Sequence, residues 1–248
     1  MFTGSMFKIL GCGHSESLEH FNNNAAVLSE AGNLLIDCGH TVKHALYAQD
    51  LSISDIDAIY ISHVHGDHVF GLERVAYEAL FKYKKRIKLF FHHSLYRELW
   101  HETLKGSLGL LGEGPAALED YFEVYQLDRL EFEIFGNYYQ LLPVKHTPGK
   151  PAFGLLINND ILYTTDTTAI PELIECLDFR VGFHDVTFTA ENPVHATLES
   201  LLKWYPSSIR QKLYLMSYED TWRKFEDKVK QDFRGLAAQG MEFELHDR

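Results

Sequence analysis

The segment Ser62-His63-Val64-His65-Gly66-Asp67-His68 limits what this chain can fold into more than any other feature. It packs three imidazoles and a carboxylate into six positions, directly after a β-branched and aromatic run over 57–62 that reads as a buried strand. In extended backbone His63 and His65 project to the same side, and a turn at Gly66 brings Asp67 and His68 round to face them. Four donors then converge on one small volume. Neutral imidazoles with a carboxylate suit Zn, Mn, Fe, Co or Ni rather than the oxygen cage that calcium takes.

Composition narrows the setting for that cluster. The chain has 248 residues, is 46% hydrophobic and carries only three cysteines, Cys12, Cys38 and Cys176, with no Cys-x-x-Cys pair. It can bury a full core, has no disulfide framework, and points to a reduced, cytoplasmic compartment. No apolar run approaches the ~18 residues of a membrane span, and no signal-peptide h-region opens the sequence. Residues 1–5 read as an upstream extension, because Met6 would start the first strand equally well. The net charge of −12 disfavours a protein that holds long nucleic acid on its surface and favours a small anionic substrate. Fourteen histidines in so acidic a chain fit an imidazole and carboxylate metal site.

Hydrophobic periodicity predicts strands over 7–10, 25–29, 34–37, 57–62 and 87–91, with helices over 41–50, 71–83 and 95–104. Residues 105–115 mix leucines with four glycines and read as a mobile loop, either a plain connector or a lid or dimer arm, the functional region extending over 105–118. A second strand-rich stretch covers 130–135, 139–144, 152–157 and 160–165, with Asn158-Asn159 as a hairpin turn. Helices follow over 171–176 and 193–204 around a strand at 181–188, and the chain closes with a strand at 212–215 and a helix at 220–233. The expected architecture is one α/β domain over 1–248, an αβ/βα sandwich of two mixed β-sheets flanked by helices.

The hexad His63 to His68 resembles the His-x-His-x-Asp-His signature of the metallo-β-lactamase superfamily, and other positions extend the likeness along nearly the whole chain. Asp37, ending the run Leu34-Leu35-Ile36, resembles the buried aspartate that supports the metal loop. His146 resembles the third-motif ligand, and Asp166 the carboxylate that bridges two metals. The resemblance thus implies a metallo-β-lactamase fold and one or two divalent transition metals, zinc first, on His63, His65, Asp67, His68, His146 and Asp166.

Within that superfamily, Phe183-His184-Asp185-Val186-Thr187 and His195-Ala196-Thr197 resemble the His-Glu-Ala-Thr and His-Ser-Thr segments of ribonuclease Z and its relatives. The likeness implies catalytic roles for His184, Asp185, His195 and Asp67: His195 acts at the phosphate and leaving oxygen, Asp185 orients and charges it, and Asp67 orients the attacking hydroxide that the metals generate. Asn192 as N-cap and Pro193 as first helical residue would put His195 in the first turn of a helix, where an anion is favoured.

Two departures qualify the likeness. Asp166 lies only 20 positions after His146, which leaves no room for the tRNA-gripping arm of ribonuclease Z proper. The chain is therefore similar to short phage and bacterial phosphodiesterases that hydrolyse cyclic nucleotides in anti-phage signalling. The family's last ligand, a histidine ending a strand, is here Ser217, after Lys212-Leu213-Tyr214-Leu215-Met216. The second metal then binds weakly, another residue such as His184 moves in, or the protein is a one-metal or inactive relative. The expected activity is a metal-dependent phosphodiesterase for a small substrate such as a cyclic nucleotide. Its alternatives are hydrolysis of another ester, a lactone or thioester, and a catalytically impaired binding protein. A homodimer through the 105–118 region and the aromatic residues Tyr77, Phe81 and Tyr83 completes the expectation.

Overall fold

Two seven-stranded mixed sheets face each other in a computed structural model that describes residues 4–248; residues 1–3 of the proposed extension lie outside the described residues. The first sheet has the spatial order Glu242–Glu244, Met6–Gly11, Asn24–Leu28, Leu34–Ile36, Ala58–Ile61, Ile87–His92 and Phe122–Leu127. The second has the order Gly235–Leu236, Leu213–Met216, Val181–Asp185, Ile161–Tyr163, Phe153–Ile157, Asn137–Pro143 and Glu131–Ile134. Each is antiparallel in one half and parallel in the other.

Strand composition follows that division. Ala58–Ile61, Leu34–Ile36 and Ile161–Tyr163 are buried throughout, as strands covered on both faces must be, whereas most of Asn137–Pro143 alternates between buried and partly exposed residues. The inner faces meet through aromatic rings. Phe7 of the first sheet lies 5.2 Å from Phe183 and 5.7 Å from Tyr163 of the second, and Phe90 stacks on Phe132 at 4.9 Å. Two buried hydroxyls add cross-sheet hydrogen bonds: Tyr60 donates to the Phe153 carbonyl, and Tyr163 to Asn23 Oδ1 in the loop before Asn24–Leu28. Val42–Tyr47 and Leu72–Tyr77 are amphipathic helices that bury Val42, Ala45 and Leu46, and Leu72, Val75 and Ala76. No helix among the described residues is long and apolar enough to cross a membrane.

Several expected elements are corrected. Residues 105–115 do not form a loop throughout: Lys105–Leu108 continues the π-helical stretch Arg97–Leu104, and Leu110–Leu111 pairs with Gly114–Pro115 in a small hairpin. Leu104 and Leu108, one helical turn apart, are buried and hold the segment to the core despite its glycines, while Leu110 is exposed. The helix expected over 193–204 is only Leu198–Trp204. The edge strands Phe122–Leu127 and Glu242–Glu244 have no counterpart in the expected pattern, because half-exposed edges carry charges and glutamines that dilute the apolar alternation.

The parallel halves position the site. Asp37, Ser62, Asp166, Asp185 and Ser217 all occur at, or a few residues beyond, the carboxyl ends of parallel strands, which brings them to one rim of the sandwich.

Candidate metal centre

His63 follows the strand Ala58–Ile61 at a bend, His65 is in extended backbone, and Gly66–Val69 forms a single helical turn that carries Asp67 and His68. Asp37 supports this loop from below. Its carboxylate accepts hydrogen bonds from Ser62 N and Ser62 Oγ at 2.8 Å each and contacts His68 Nδ1 at 2.8 Å. Asn24 fixes Asp37 in turn by donating to the Ile36 and Asp37 carbonyls. Asp37, Thr165 and Ser217 all have φ between 56° and 64°, a left-handed conformation that costs most for β-branched Thr165. Three such residues after strands of the two sheets mark the rim as a place where side-chain direction is imposed on the chain.

Two donor groups share His63: His63, His65 and His146, and His63, His68 and Asp166; a third joins His195 to His146 and Asp166, and in each the ligand atoms lie within 4.8 Å of one another. His65 Nδ1 and His146 Nε2 are 3.0 Å apart. Asp166 Oδ2 lies 3.3 Å from His68 Nε2 and 3.9 Å from both His63 Nε2 and His146 Nε2, between the groups. Asp67 Oδ2 lies 3.3 Å from His68 Nε2. Donors about 2 Å from a shared tetrahedral ion stand about 3.4 Å apart, so these spacings fit a divalent metal. A second observation agrees. His63 Nε2, His68 Nε2 and Asp166 Oδ1 are buried without a hydrogen-bond partner, a costly arrangement for a polar core but the usual one for metal ligands.

Electrostatics sort the imidazoles. Burial drives His63 far below its ordinary pKa, with His68 adding to the effect; burial and then Lys150 take His65 down to about 4; and burial lowers His146. All three are neutral, as ligands must be. His68 goes the other way: burial opposes its charge, but Asp166, Asp67 and Asp37 outweigh burial and raise it well above the ordinary value. In the metal-free chain its proton supplies positive charge where a cation fits.

Next to the donors, His195 Nδ1 contacts Asp185 Oδ2 at 2.7 Å, and the His195 ring stands 5.0 Å from that of His146. Burial lifts the Asp185 carboxyl to about 7, with His195 pulling it back. Burial opposes the charge on His195 too, but the Asp185 carboxylate raises its pKa to about 9. Between about 7 and about 9 the pair holds one proton.

The structure corrects two sequence expectations here. His195 is outside the helix, whose N-cap is Thr197; Asn192 Oδ1 instead accepts from Val194 N and His195 N in a local turn that presents the ring. His184 is apart from the donor groups. Alternation along Val181–Asp185 sends Asp185 towards the rim and His184 the opposite way, where its Nδ1 contacts the Asp185 carbonyl and its Nε2 the Tyr205 hydroxyl, both within 2.8 Å. Burial lowers its pKa to about 4, and it cannot stand in for a missing ligand. Ser217 is buried at the end of Leu213–Met216 and is tied by its N–H to the Cys12 carbonyl. The strand-end kink is present at this position without the imidazole.

The sequence reading gave no role to Ser62, which links Asp37 to the His63 ring, or to Lys150, whose Nζ donates to the Val64 carbonyl inside the metal loop. Only the position of Ser62 beside the hexad could have signalled it. Lys150 is brought there by the turn after His146.

A family model described as Anti-Pycsar protein Apyc1 matches residues 6–243. A relative of that name from Paenibacillus harenae is 37% identical over 227 residues, covering 90% of this chain and 93% of the relative. Another, from Bacillus phage BSP38, is 33% identical over 244 residues, covering 92% and 94%. Among solved structures, a diphosphatase of the PhnP family superimposes with a TM-score of 0.78 at 20% identity, over 98% of each chain. The short form of human tRNase Z does so at 0.65 and 18%, over 96% of this chain and 98% of that one. At such identities these likenesses establish the metallo-β-lactamase fold.

Proposed function

The chain belongs to the Anti-Pycsar protein Apyc1 family, and on that premise we propose that it is a metal-dependent phosphodiesterase that opens the phosphate ester of a small cyclic nucleotide. The observation that carries the reading is the juxtaposition of the His and Asp donor groups with a charged His195–Asp185 pair. His63, His65 and His146 would hold one divalent ion, Asp67 and His68 a second, and Asp166 would serve both, with zinc the first candidate and Mn, Fe, Co or Ni the alternatives. Such ions supply Lewis acidity towards phosphoryl oxygens and make water acidic enough to attack at neutral pH.

The chain's own residues do the rest. Asp67, with one oxygen beside His68, orients the attacking water. The hydroxyl of that water ends on phosphorus and its other proton passes to the Asp67 carboxylate and on to solvent; one P–O ester bond breaks, and the leaving oxygen takes a proton from His195 Nε2, which regains one from solvent. Asp185 keeps His195 charged and fixes its ring through Nδ1. Residues 147–152 between His146 and the strand Phe153–Ile157 form a short turn, with no arm for a long nucleic acid, in keeping with the charge of −12. The reading takes the whole chain as one catalytic domain, which its continuous core supports, and as a homodimer, with exposed Leu110 and Phe81 as candidate contacts in the 105–118 region and beside it.

The test is hydrolysis by the metal-loaded protein of 3′,5′-cyclic nucleotides, bis-p-nitrophenyl phosphate, a lactone and a thioester, with metal content measured in parallel. Cyclic nucleotides are expected to be turned over with release of a nucleoside monophosphate, and His65→Ala to lose both metal and activity. Turnover of the lactone or thioester alone would refute the reading. A second reading, a retained fold without turnover, rests on Ser217; a metal-loaded wild type inert towards every substrate would favour it.

A further inference from the structure

His14, in the loop after the strand Met6–Gly11, stands edge-on against His195, with ring centroids 5.5 Å apart. Its backbone is fixed from three sides. His14 N donates to the Tyr218 carbonyl at 3.0 Å, and its own carbonyl accepts from Ser17 N at 3.0 Å and from buried Asn22 Nδ2 at 3.4 Å. A Cβ on Gly13 would come within 2.8 Å of His20 Cβ, so this turn closes only around a bare backbone. The ring also walls a cleft of about 220 Å³ that Glu16, Thr189, Asn192, Glu219 and Asp220 help to line.

Two of the three carboxylates in the cleft are already engaged. Glu219 accepts from Thr187 Oγ1, Phe188 N and Thr189 Oγ1, and Asp220 from Ser17 Oγ, Leu18 N and Glu19 N. They shape the walls, their oxygens already accepting hydrogen bonds from the protein. Three groups have no partner among the described residues: the Glu16 carboxylate, the Asn192 amide N–H and His14 Nε2, the His14 Nδ1 being turned to Glu16 N and Ser15 Oγ. The cleft therefore presents donors and an acceptor together. A phosphate needs donors only and is repelled by Glu16, whereas the edge of a nucleobase carries both kinds of group. The volume is below the roughly 300–1,000 Å³ of sites for drug-sized ligands and suits a single heterocycle.

We propose that this cleft takes the nucleobase of the substrate and that His14 holds the nucleoside between the cleft and His195. The inference rests on the phosphodiesterase reading and adds a recognition site to it. It predicts that the cleft sets KM and base preference, while the donor groups and His195 set the chemistry.

The test uses the full-length, metal-loaded protein with His14→Ala, His14→Gln and Glu16→Ala; Glu16 is exposed, so its variant guards against a folding failure at His14. Metal content, kcat and KM for a 3′,5′-cyclic nucleotide and for bis-p-nitrophenyl phosphate, and calorimetric binding of a nucleoside 5′-monophosphate and of inorganic phosphate are measured. Loss of the His14 bond or of the charge-assisted bond to Glu16 should lower the ratio of kcat/KM for the cyclic nucleotide over bis-p-nitrophenyl phosphate by about tenfold, mainly through KM. Nucleotide affinity should fall relative to phosphate affinity by a similar factor, with metal content as in wild type. Equal losses on both substrates, or nucleotide affinity within about twofold of wild type, would overturn the cleft assignment while leaving the phosphodiesterase reading standing. A wild type that neither hydrolyses cyclic nucleotides nor binds nucleotides would overturn both.

Discussion

Replacing Asp185 by Asn should change how the rate depends on pH more than it changes the rate at low pH. Asp185 is fully buried, and its Oδ2 meets His195 Nδ1 at 2.7 Å while also accepting from Thr167 N at 2.8 Å. The amide of Asn can keep the Thr167 contact but not the charge. With the carboxylate present, His195 is a cation up to about 9. Without it, burial opposes the charged ring while Asp166 and Asp67 still favour it, and the pKa falls towards its ordinary value of about 6.5. A general acid works only while protonated, so its contribution is present below its pKa and is lost as pH rises through it. At pH 8 the protonated fraction is about 0.9 in wild type and about 0.03 in the variant, a loss of about thirtyfold; at pH 6 the two fractions differ by less than about twofold. The assay is kcat/KM between pH 5.5 and 9.5 on a cyclic nucleotide whose leaving oxygen needs a proton, with metal content checked at each end. An equal fractional loss at pH 6 and pH 8 would mean that Asp185 only holds the ring in place, and would refute the charging role.

Three other perturbations separate the parts of the molecule. Ser217→His should raise the metal retained after chelator dialysis from about one to about two ions per chain, because a left-handed strand-end position admits His and restores an imidazole where the family resemblance puts the last ligand; two chelator-resistant ions in wild type would contradict this. His184→Leu should cost about 1–3 kcal/mol in chemical unfolding by breaking the Tyr205 and Asp185 contacts, with metal content unaffected, whereas loss of metal would place His184 in the site after all. Arg180→Ala removes a two-pronged contact of 2.7 and 2.8 Å to buried Asp160, whose carboxyl burial pushes up and Arg180, prevailing, holds below its ordinary range. A carboxyl with a depressed folded pKa stabilises above its unfolded value and ceases to as pH falls through the folded one. The variant should therefore be about 1–3 kcal/mol less stable at pH 7, and the gap should narrow from about pH 4 downward as pH falls through the lower folded value, leaving only what the Arg180 bond to the Glu244 carbonyl contributes, as read by urea unfolding; a pH-independent gap would show that packing, not charge, is at stake.

Much of the candidate centre was legible in the sequence because its donors carry local signals. His63 to His68 are contiguous, and Asp37, His146 and Asp166 each follow an apolar run that can only be a strand, so their meeting at one rim follows once the strands run parallel. The sandwich itself was legible for the same reason. Edge strands such as Phe122–Leu127 were not, since a strand paired on one side does not need a clean apolar face. Residues 105–115 misled in the opposite sense: their glycines suggested a loop, and two leucines at helical spacing held them in a helix and hairpin.

The sequence by itself determined which chemical groups are present and on which strand ends they lie, because hydrophobic periodicity and residue type are local properties. Tertiary structure decided which groups meet. His184 and Asp185 are neighbours in sequence, yet a strand turns successive side chains to opposite faces, so one joins the Tyr205 hydroxyl and the other His195. His14 and His195 are 181 positions apart in the chain and 5.5 Å apart as rings. Such pairings depend on how two sheets register against each other, which is a matter of packing across the core and has no counterpart in any window of sequence.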